Sequence, residues 1–224
     1  MIPPEWKLLY HNPLAAPADL ADFRLEGEAA MSFPLGRLRL ESARDAEEGQ
    51  KANFVLWCPH DFPADMAVEW QFRPIREPGL AILFFAVSGA GGIDLFDPSL
   101  MPRSGIYDQY HSGDINAFHL SYYRRRWAEE RQFHTCNLRK SRGFHLTAQG
   151  ADPLPSVLDC HSSYEMQLLK RGPRIDFTIN GLPILAWEDD GATFGPLLGA
   201  GKIGFRQMAP FIADYANLKV FGPA

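Results

Sequence analysis

Over residues 174–187 the chain reads RIDFTINGLPILAW, so Ile175, Phe177 and Ile179 alternate with polar residues up to Asn180 and Gly181, and the apolar set resumes at Leu182 and Ile184. Asn-Gly supplies the positive φ angles of a type I′ turn, whose twist matches antiparallel strands, and the stretch predicts a tight hairpin. The same period of two recurs along the chain. Val68, Trp70 and Phe72 alternate with Glu69, Gln71 and Arg73 before Pro74 closes the run. Residues 81–87 are apolar on both faces, as in a strand covered on both sides, and the glycines of 89–92 end it. Phe118, Leu120 and Tyr122 oppose His119, Ser121 and Tyr123, while Phe144, Leu146 and Ala148 oppose His145, Thr147 and Gln149. The last strands are expected at residues 202–206 and 215–221. No segment of helical length carries a 3.6-residue period, and residues 121–131 read as a strand running into a turn.

The 18 prolines and 19 glycines are scattered rather than gathered into a linker, so they punctuate many short segments. A length of 224 residues suits one domain spanning 1–224, and no repeat of solenoid or propeller length is present. The expectation is an all-β fold, a two-sheet antiparallel jelly-roll sandwich of the lectin and glucanase type. With 46% hydrophobic and 22% charged residues the chain can bury a core. A formal charge of −5 provides no global attraction to nucleic acid or to an anionic membrane, and no stretch is long and apolar enough to span one. Cys58, Cys136 and Cys160 are odd in number and irregularly spaced, which fits reduced thiols and a cytoplasmic location better than a disulfide framework. No nucleotide-binding or zinc motif occurs, so no cofactor is expected; for calcium the sequence offers only isolated aspartates, Asp97 and Asp214.

Residues 89–112 form a connection too long and too rich in aromatic and acidic residues to be a plain loop, and long structured loops at the rim of a sandwich are often functional. It brings Tyr107, Tyr110 and His111, with Asp114 just beyond; the competing reading is that its acids form turns and its tyrosines cover the core edge. The polar faces of the middle strands carry His119, Ser121, Tyr123, Asn137, Arg139 and His145 where a solvated face usually shows Lys, Glu and Thr. Sugars need planar hydrogen-bonding partners and aromatic platforms, which these residues supply, although a polar network under a covering loop would look alike. A basic cluster, Arg124, Arg125, Arg126, Arg131, Arg139, Lys140 and Arg142, would suit a carboxylate or phosphate, or simply a solvated loop. Two carboxylates spaced for a retaining glycosidase are not evident on one strand: Glu69 is followed by Gln71 and Arg73. A lyase would instead need a neutral base with an arginine to neutralise a uronate.

The segments LWCPHDFPADMAVEWQFRP, SGIYDQYHSGDINAFHLSYYRR, NLRKSRGFHL and GKIGFRQMAPFIADYANLKV, in that order, resemble a YesU-like bacterial family of unknown function, with similarity running from about Trp57 onward. The resemblance implies a concanavalin A-like jelly roll among bacterial proteins that take up and dismantle plant polysaccharides, rhamnogalacturonan being a frequent context. It implies no established reaction. The combined expectation is a protein that holds an acidic oligosaccharide in a cleft, with His119 or Tyr123 moving a proton and Arg139 facing the carboxylate if it is an enzyme. Tyr107, Tyr110, His111, Asp114, Ser121, Asn137 and His145 would make the remaining contacts. A sugar-binding module without catalysis and a structural homodimer are the alternatives, and the chain is expected to be a monomer or homodimer.

Overall fold

The alternating segments do become strands in the computed structural model, which describes residues 2–223. In chain order these are β1 Lys7–Asn12, β2 Arg24–Glu26, β3 Ala29–Ser32, β4 Leu38–Ser42, β5 Phe54–Phe62, β6 Met66–Arg76, β7 Leu80–Gly89, β8 Ile115–Tyr122, β9 Thr135–Ser141, β10 His145–Ala151, β11 Tyr164–Arg171, β12 Arg174–Ile179, β13 Leu182–Glu188, β14 Gly201–Met208 and β15 Ile212–Gly222. Two short helices, α1 Asp108–His111 and α2 Ala128–Gln132, interrupt the loops. Every pairing is antiparallel. One sheet has the order β13-β12-β11-β6-β15-β4-β3, with β1 also on β15, and the other β10-β9-β8-β7-β14-β5-β2.

The inward set of each strand forms the core between the sheets, where Trp70, Phe72, Phe85, Leu120, Phe177 and Tyr215 are fully buried. Each such side chain contributes about 1.5–3 kcal/mol by leaving water. Trp70 Nε1 donates to Tyr122 Oη at 3.2 Å, so these two polar tips inside the core satisfy each other. Asn180 and Gly181 take φ angles of 49° and 76° between β12 and β13, as the hairpin motif requires.

Three local readings shift, each for a backbone reason. Pro74 lies inside β6, opposite a register break between Ile212 and Ala213 where a missing amide proton is tolerated. In β15 the register breaks between Ala216 and Lys219, with Asn217 at φ 52°, so Tyr215, Leu218 and Val220 all reach the core although strict alternation would separate them. In β10 the break between Leu146 and Ala148 turns Leu146 out beside Arg139 and puts His145 on the opposite face. Such a bulge reverses every side chain beyond it. The region expected to be a turn beyond Ser121 contains α2, whose first turn is capped by Glu130 accepting from the amides of Arg126 and Trp127 at 2.9 and 3.0 Å.

Candidate binding cleft

Register fixes what the outer face of the second sheet presents. Reading across β5, β14, β7, β8, β9 and β10, one row is Val55, Arg206, Ile82, Ser121, Asn137 and Gln149; the next is Trp57, Gly204, Phe84, His119, Arg139 and Leu146. Gly204 is required there, because a Cβ would stand 2.3 Å from the indole of Trp57. The loop 89–112 lies over the β5 and β7 end of these rows. Leu95 and Tyr110 are buried against Trp57, Phe84 and Val87, so this part of the outer face is a second hydrophobic core. Lys202 pins the loop with Asp94 at 2.8 Å and Asp61 at 2.9 Å, and Arg103 pins it to Glu26 at 2.9 Å.

Beyond the loop the same face opens into a cleft of about 250 Å³. Its floor is Ile82, Ser121 and Asn137; its walls are Gln50, Tyr107, Arg124, Trp127, Glu129, Arg139 and Phe144. Trp127 and Phe144 are 47% and 41% exposed, and that exposure leaves two aromatic surfaces facing solvent at the rim. Arg139 stacks its guanidinium 3.9 Å above the Phe144 ring and donates to the Phe144 carbonyl at 3.0 Å. It makes no ion pair with any described carboxylate, and burial followed by the charge of Arg124 lowers its pKa. Arg124 is otherwise engaged, with Glu130 at 2.7 Å and the Thr135 hydroxyl at 2.5 Å. Asn137 meets the Gln149 carboxamide at 2.8 Å.

Tyr107 closes one side. Its ring lies 4.7 Å over the Arg206 guanidinium, and its hydroxyl shares a 3.1 Å hydrogen bond with His119 Nδ1. Burial pushes its pKa up to about 12, so the phenol stays protonated. A model described as "Domain of unknown function (DUF1961)" matches residues 7–220. The chain belongs to that family. It is 56% identical to "Uncharacterized protein YesU" of Bacillus subtilis (strain 168) over 216 residues, 96% of each chain. A Bacillus subtilis crystal structure of a protein of unknown function with a galectin-like fold superposes at a TM-score of 0.92 and 56% identity, covering 96% of this chain and 97% of that one. The endo-β-1,3(4)-glucanase SCLam, of family GH16, matches at a TM-score of 0.65 and 11% identity over 100% of this chain and 94% of its own, a likeness of fold.

In this DUF1961 chain the sequence-expected residues divide by location. Tyr107, Ser121, Asn137 and Arg139 line the cleft together. His119 lies behind Tyr107, fully buried and edge-on to Phe84 at 4.6 Å between centroids. Burial, then the charges of His111, Arg206 and Arg139, hold its pKa well below the ordinary imidazole value, so it is neutral, and Tyr107 stands between it and the cleft. His111 packs 4.4 Å from the Phe144 ring, with Nε2 2.9 Å from Asp108, and supports the rim from behind.

The expectation that His119, Tyr123, Arg139 and His145 share one groove is corrected. Tyr123 has φ 50°, and this turns its ring to the inner side, stacked 5.2 Å from Phe211 and bonded to Glu77. The β10 bulge sends His145 to the opposite face, stacked 4.8 Å from Phe194. Tyr110 and Asp114 belong to the loop's own architecture. The Tyr110 hydroxyl donates to Glu26 and accepts from the Gly105 amide, both at 2.9 Å, while Asp114 accepts from the Met101 amide at 2.7 Å. Asp214 is held bidentately by Arg39 at 2.7 and 2.9 Å, and Asp97 accepts from the Ser99 amide and hydroxyl. Neither meets a second acid, and among the described residues no group of three or more His, Cys, Asp or Glu is arranged to hold a metal. Sequence reasoning missed Gln50, Trp127, Phe144 and Arg206. Of these only Trp127 left a trace, an aromatic directly after three arginines.

Proposed function

We propose that the cleft binds an acidic oligosaccharide, with a uronate carboxylate at Arg139, which Phe144 holds by stacking, and a sugar C–H face on Trp127. The observation that carries this reading is the half-buried Arg139 guanidinium, which has no carboxylate partner among the described residues and is stacked on Phe144 in a cleft that Trp127 also lines. Arginine offers a planar, permanently charged fork to a carboxylate, and aromatic rings offer apolar area at low entropic cost. The SCLam likeness adds support, since its name places glucan chemistry on this fold. Plant rhamnogalacturonan fragments are the ligands of choice, and the three unpaired, buried cysteines suit a reducing compartment such as the cytoplasm.

Binding without hydrolysis is the version the side chains favour. A glycosidase works with two carboxyl groups flanking the scissile bond. Here Glu130 is consumed by Arg124 and two backbone amides, leaving Glu129 as the one lining carboxylate without a side-chain partner. Titration calorimetry with saturated and unsaturated rhamnogalacturonan oligosaccharides, followed by mass spectrometry of the mixture, tests the reading. Saturable heat with unchanged ligand mass is expected. Heat accompanied by new masses would make the protein an enzyme, and no heat with any acidic oligosaccharide would remove the acidic-sugar reading.

A further inference from the structure

Most buried cations elsewhere in the molecule are ion-paired. Arg125, 1% exposed, meets Asp152 at 3.0 Å; Lys140 meets Asp189 at 2.7 Å; Lys202 meets Asp61 and Asp94. Lys170, 3% exposed, is held by the Ala64 carbonyl at 2.7 Å and feels the charges of Asp65 and Asp189. Arg206 is 0% exposed and has no ion pair with any described residue. Its Nη2 donates to two neutral oxygens, the Gly105 carbonyl at 2.9 Å and Gln50 Oε1 at 3.3 Å, while Nε and Nη1 have no partner. An uncompensated guanidinium in a sheet centre is expensive, and burial accordingly lowers its pKa to about 10, still well above neutrality.

Its surroundings connect this charge to the cleft. The two side chains over Arg206, Tyr107 and Gln50, are both cleft walls. Gln50 Oε1 is a hub that also accepts from Asn53 Nδ2 at 2.9 Å and the Tyr107 amide at 3.3 Å. That position suits a carboxylate oxygen, and a glutamate would fit the same donors while cancelling the charge of Arg206. The chain has the neutral isostere.

We infer that Arg206 is a specificity-determining residue, the fixed positive charge behind the wall that makes the cleft prefer a carboxylate-bearing sugar to a neutral sugar of the same shape, with Gln50 leaving that charge unspent. The inference rests on the oligosaccharide reading above. Arg206 does not touch the ligand; it acts through its field, which is strong where water is excluded and needs no reorganisation on binding.

The test is the ratio of Kd values for a galacturonate oligosaccharide and its methyl ester, measured by calorimetry in wild type, Gln50→Glu, Arg206→Gln and Arg206→Lys, with melting curves. Wild type should bind the acid at least about tenfold more tightly. Gln50→Glu should cut that preference by about tenfold while raising Tm, because the new carboxylate compensates the buried guanidinium. Arg206→Gln should cut it likewise, and Arg206→Lys, which keeps the charge, should hold it within about twofold. Should Arg206→Gln fail to fold, Gln50→Glu still decides. An unchanged acid-to-ester ratio in Gln50→Glu overturns the role of Arg206 and leaves the sugar reading intact. If neither acid nor ester binds the wild type, both fall.

Discussion

The two outer faces of this sandwich are built from the same strand geometry but treat their polar residues in opposite ways. On the first sheet, long side chains pair sideways: Glu69 with Gln167 at 2.8 Å, Gln71 with Glu165 at 2.7 Å and Arg76 with Glu41 at 2.8 Å in the open, and Arg39 with the buried Asp214. These donors meet acceptors on an adjacent strand or, for Arg76 and Glu41, across β15, which is an ordinary way for a solvated face to be stable, although Arg73 on this face has no ion pair with any described residue. On the second sheet a loop buries half the face under tyrosine and leucine, and the exposed half keeps Arg139 and, behind a wall, Arg206 without counter-charges. A face built only for stability would have paired those charges. Leaving them free lowers stability, and in the function proposed above the ligand's carboxylate supplies the missing partner.

The sharpest way to break this contrast is to remove an outer-facing side chain from each sheet. Phe84→Ala should destabilise the protein by about 3–5 kcal/mol in chemical denaturation, because Phe84 is sealed between Trp57, Tyr110 and His119 although it points away from the main core. Gln167→Ala, at an outward position on β11, should cost about 0.5 kcal/mol or less. Comparable losses at the two positions would mean that the loop is not packed as a second core.

Next in size is the effect on ligand. Arg139→Ala should weaken an acidic oligosaccharide about a hundredfold, as expected for loss of a charge-assisted contact of about 1.5–3 kcal/mol, and shift Tm by only a few degrees. Trp127→Ala, which removes an exposed platform, should weaken acid and ester alike by about tenfold. Calorimetry separates the two, since only the arginine should discriminate between charged and neutral ligands. A loss shared equally by acid and ester in Arg139→Ala would recast that residue as a packing element over Phe144.

The fold was legible because alternation is a local property and the Asn180-Gly181 turn declares its partner strands by itself. The lining of the candidate cleft was legible in part. Ser121, Asn137 and Arg139 could be found from residue type, since a strand face carrying them in place of Lys, Glu and Thr is an unusual choice, and Tyr107 from the length and aromatic content of its loop. Tyr123 and His145 misled for one reason: a single positive φ at Tyr123 and a bulge in β10 reverse the side on which a residue emerges, and neither leaves a mark such as glycine in the sequence. Arg206 and Gln50 escaped because a buried, unpaired charge is defined by what is missing around it. In sequence Arg206 is simply the end of an apolar strand, and Gln50 belongs to a short 3-10 segment far from β14.

A smaller effect concerns pH. His119 and His111 are both held below the ordinary imidazole pKa, burial being the first cause in each. Below about pH 6.5 the unfolded chain takes up protons that the folded one refuses, so stability should fall as pH drops through that value and continue falling until the folded pKa values are reached. A fully buried neutral histidine contributes up to about 1.4 kcal/mol per pH unit to that slope; His111, partly open and beside Asp108, contributes less. His119→Gln keeps a hydrogen-bonding group for the Tyr107 hydroxyl and does not titrate, so its denaturation midpoints at pH 5 and pH 7 should lie closer together than those of wild type. An identical slope in both proteins would show that His119 is protonated in the fold, and with it the Tyr107 wall would need a different account.

The smallest expected effect is on the first sheet's outer face. Gln71→Ala with Glu165→Ala deletes a hydrogen-bonded cross-strand pair whose two members sit in register on β6 and β11. The pair is solvated, so the loss of its hydrogen bond is largely repaid by water and by the freedom of two long side chains. Stability should change by about 0.5 kcal/mol or less, and the affinity for acidic oligosaccharide not at all. The core lies between this pair and the cleft, and no charge path links them. A measurable drop in affinity would mean that ligand reaches both faces of the sandwich, in which case the unpaired arginines of the second sheet would lose their claim to be the feature that distinguishes it.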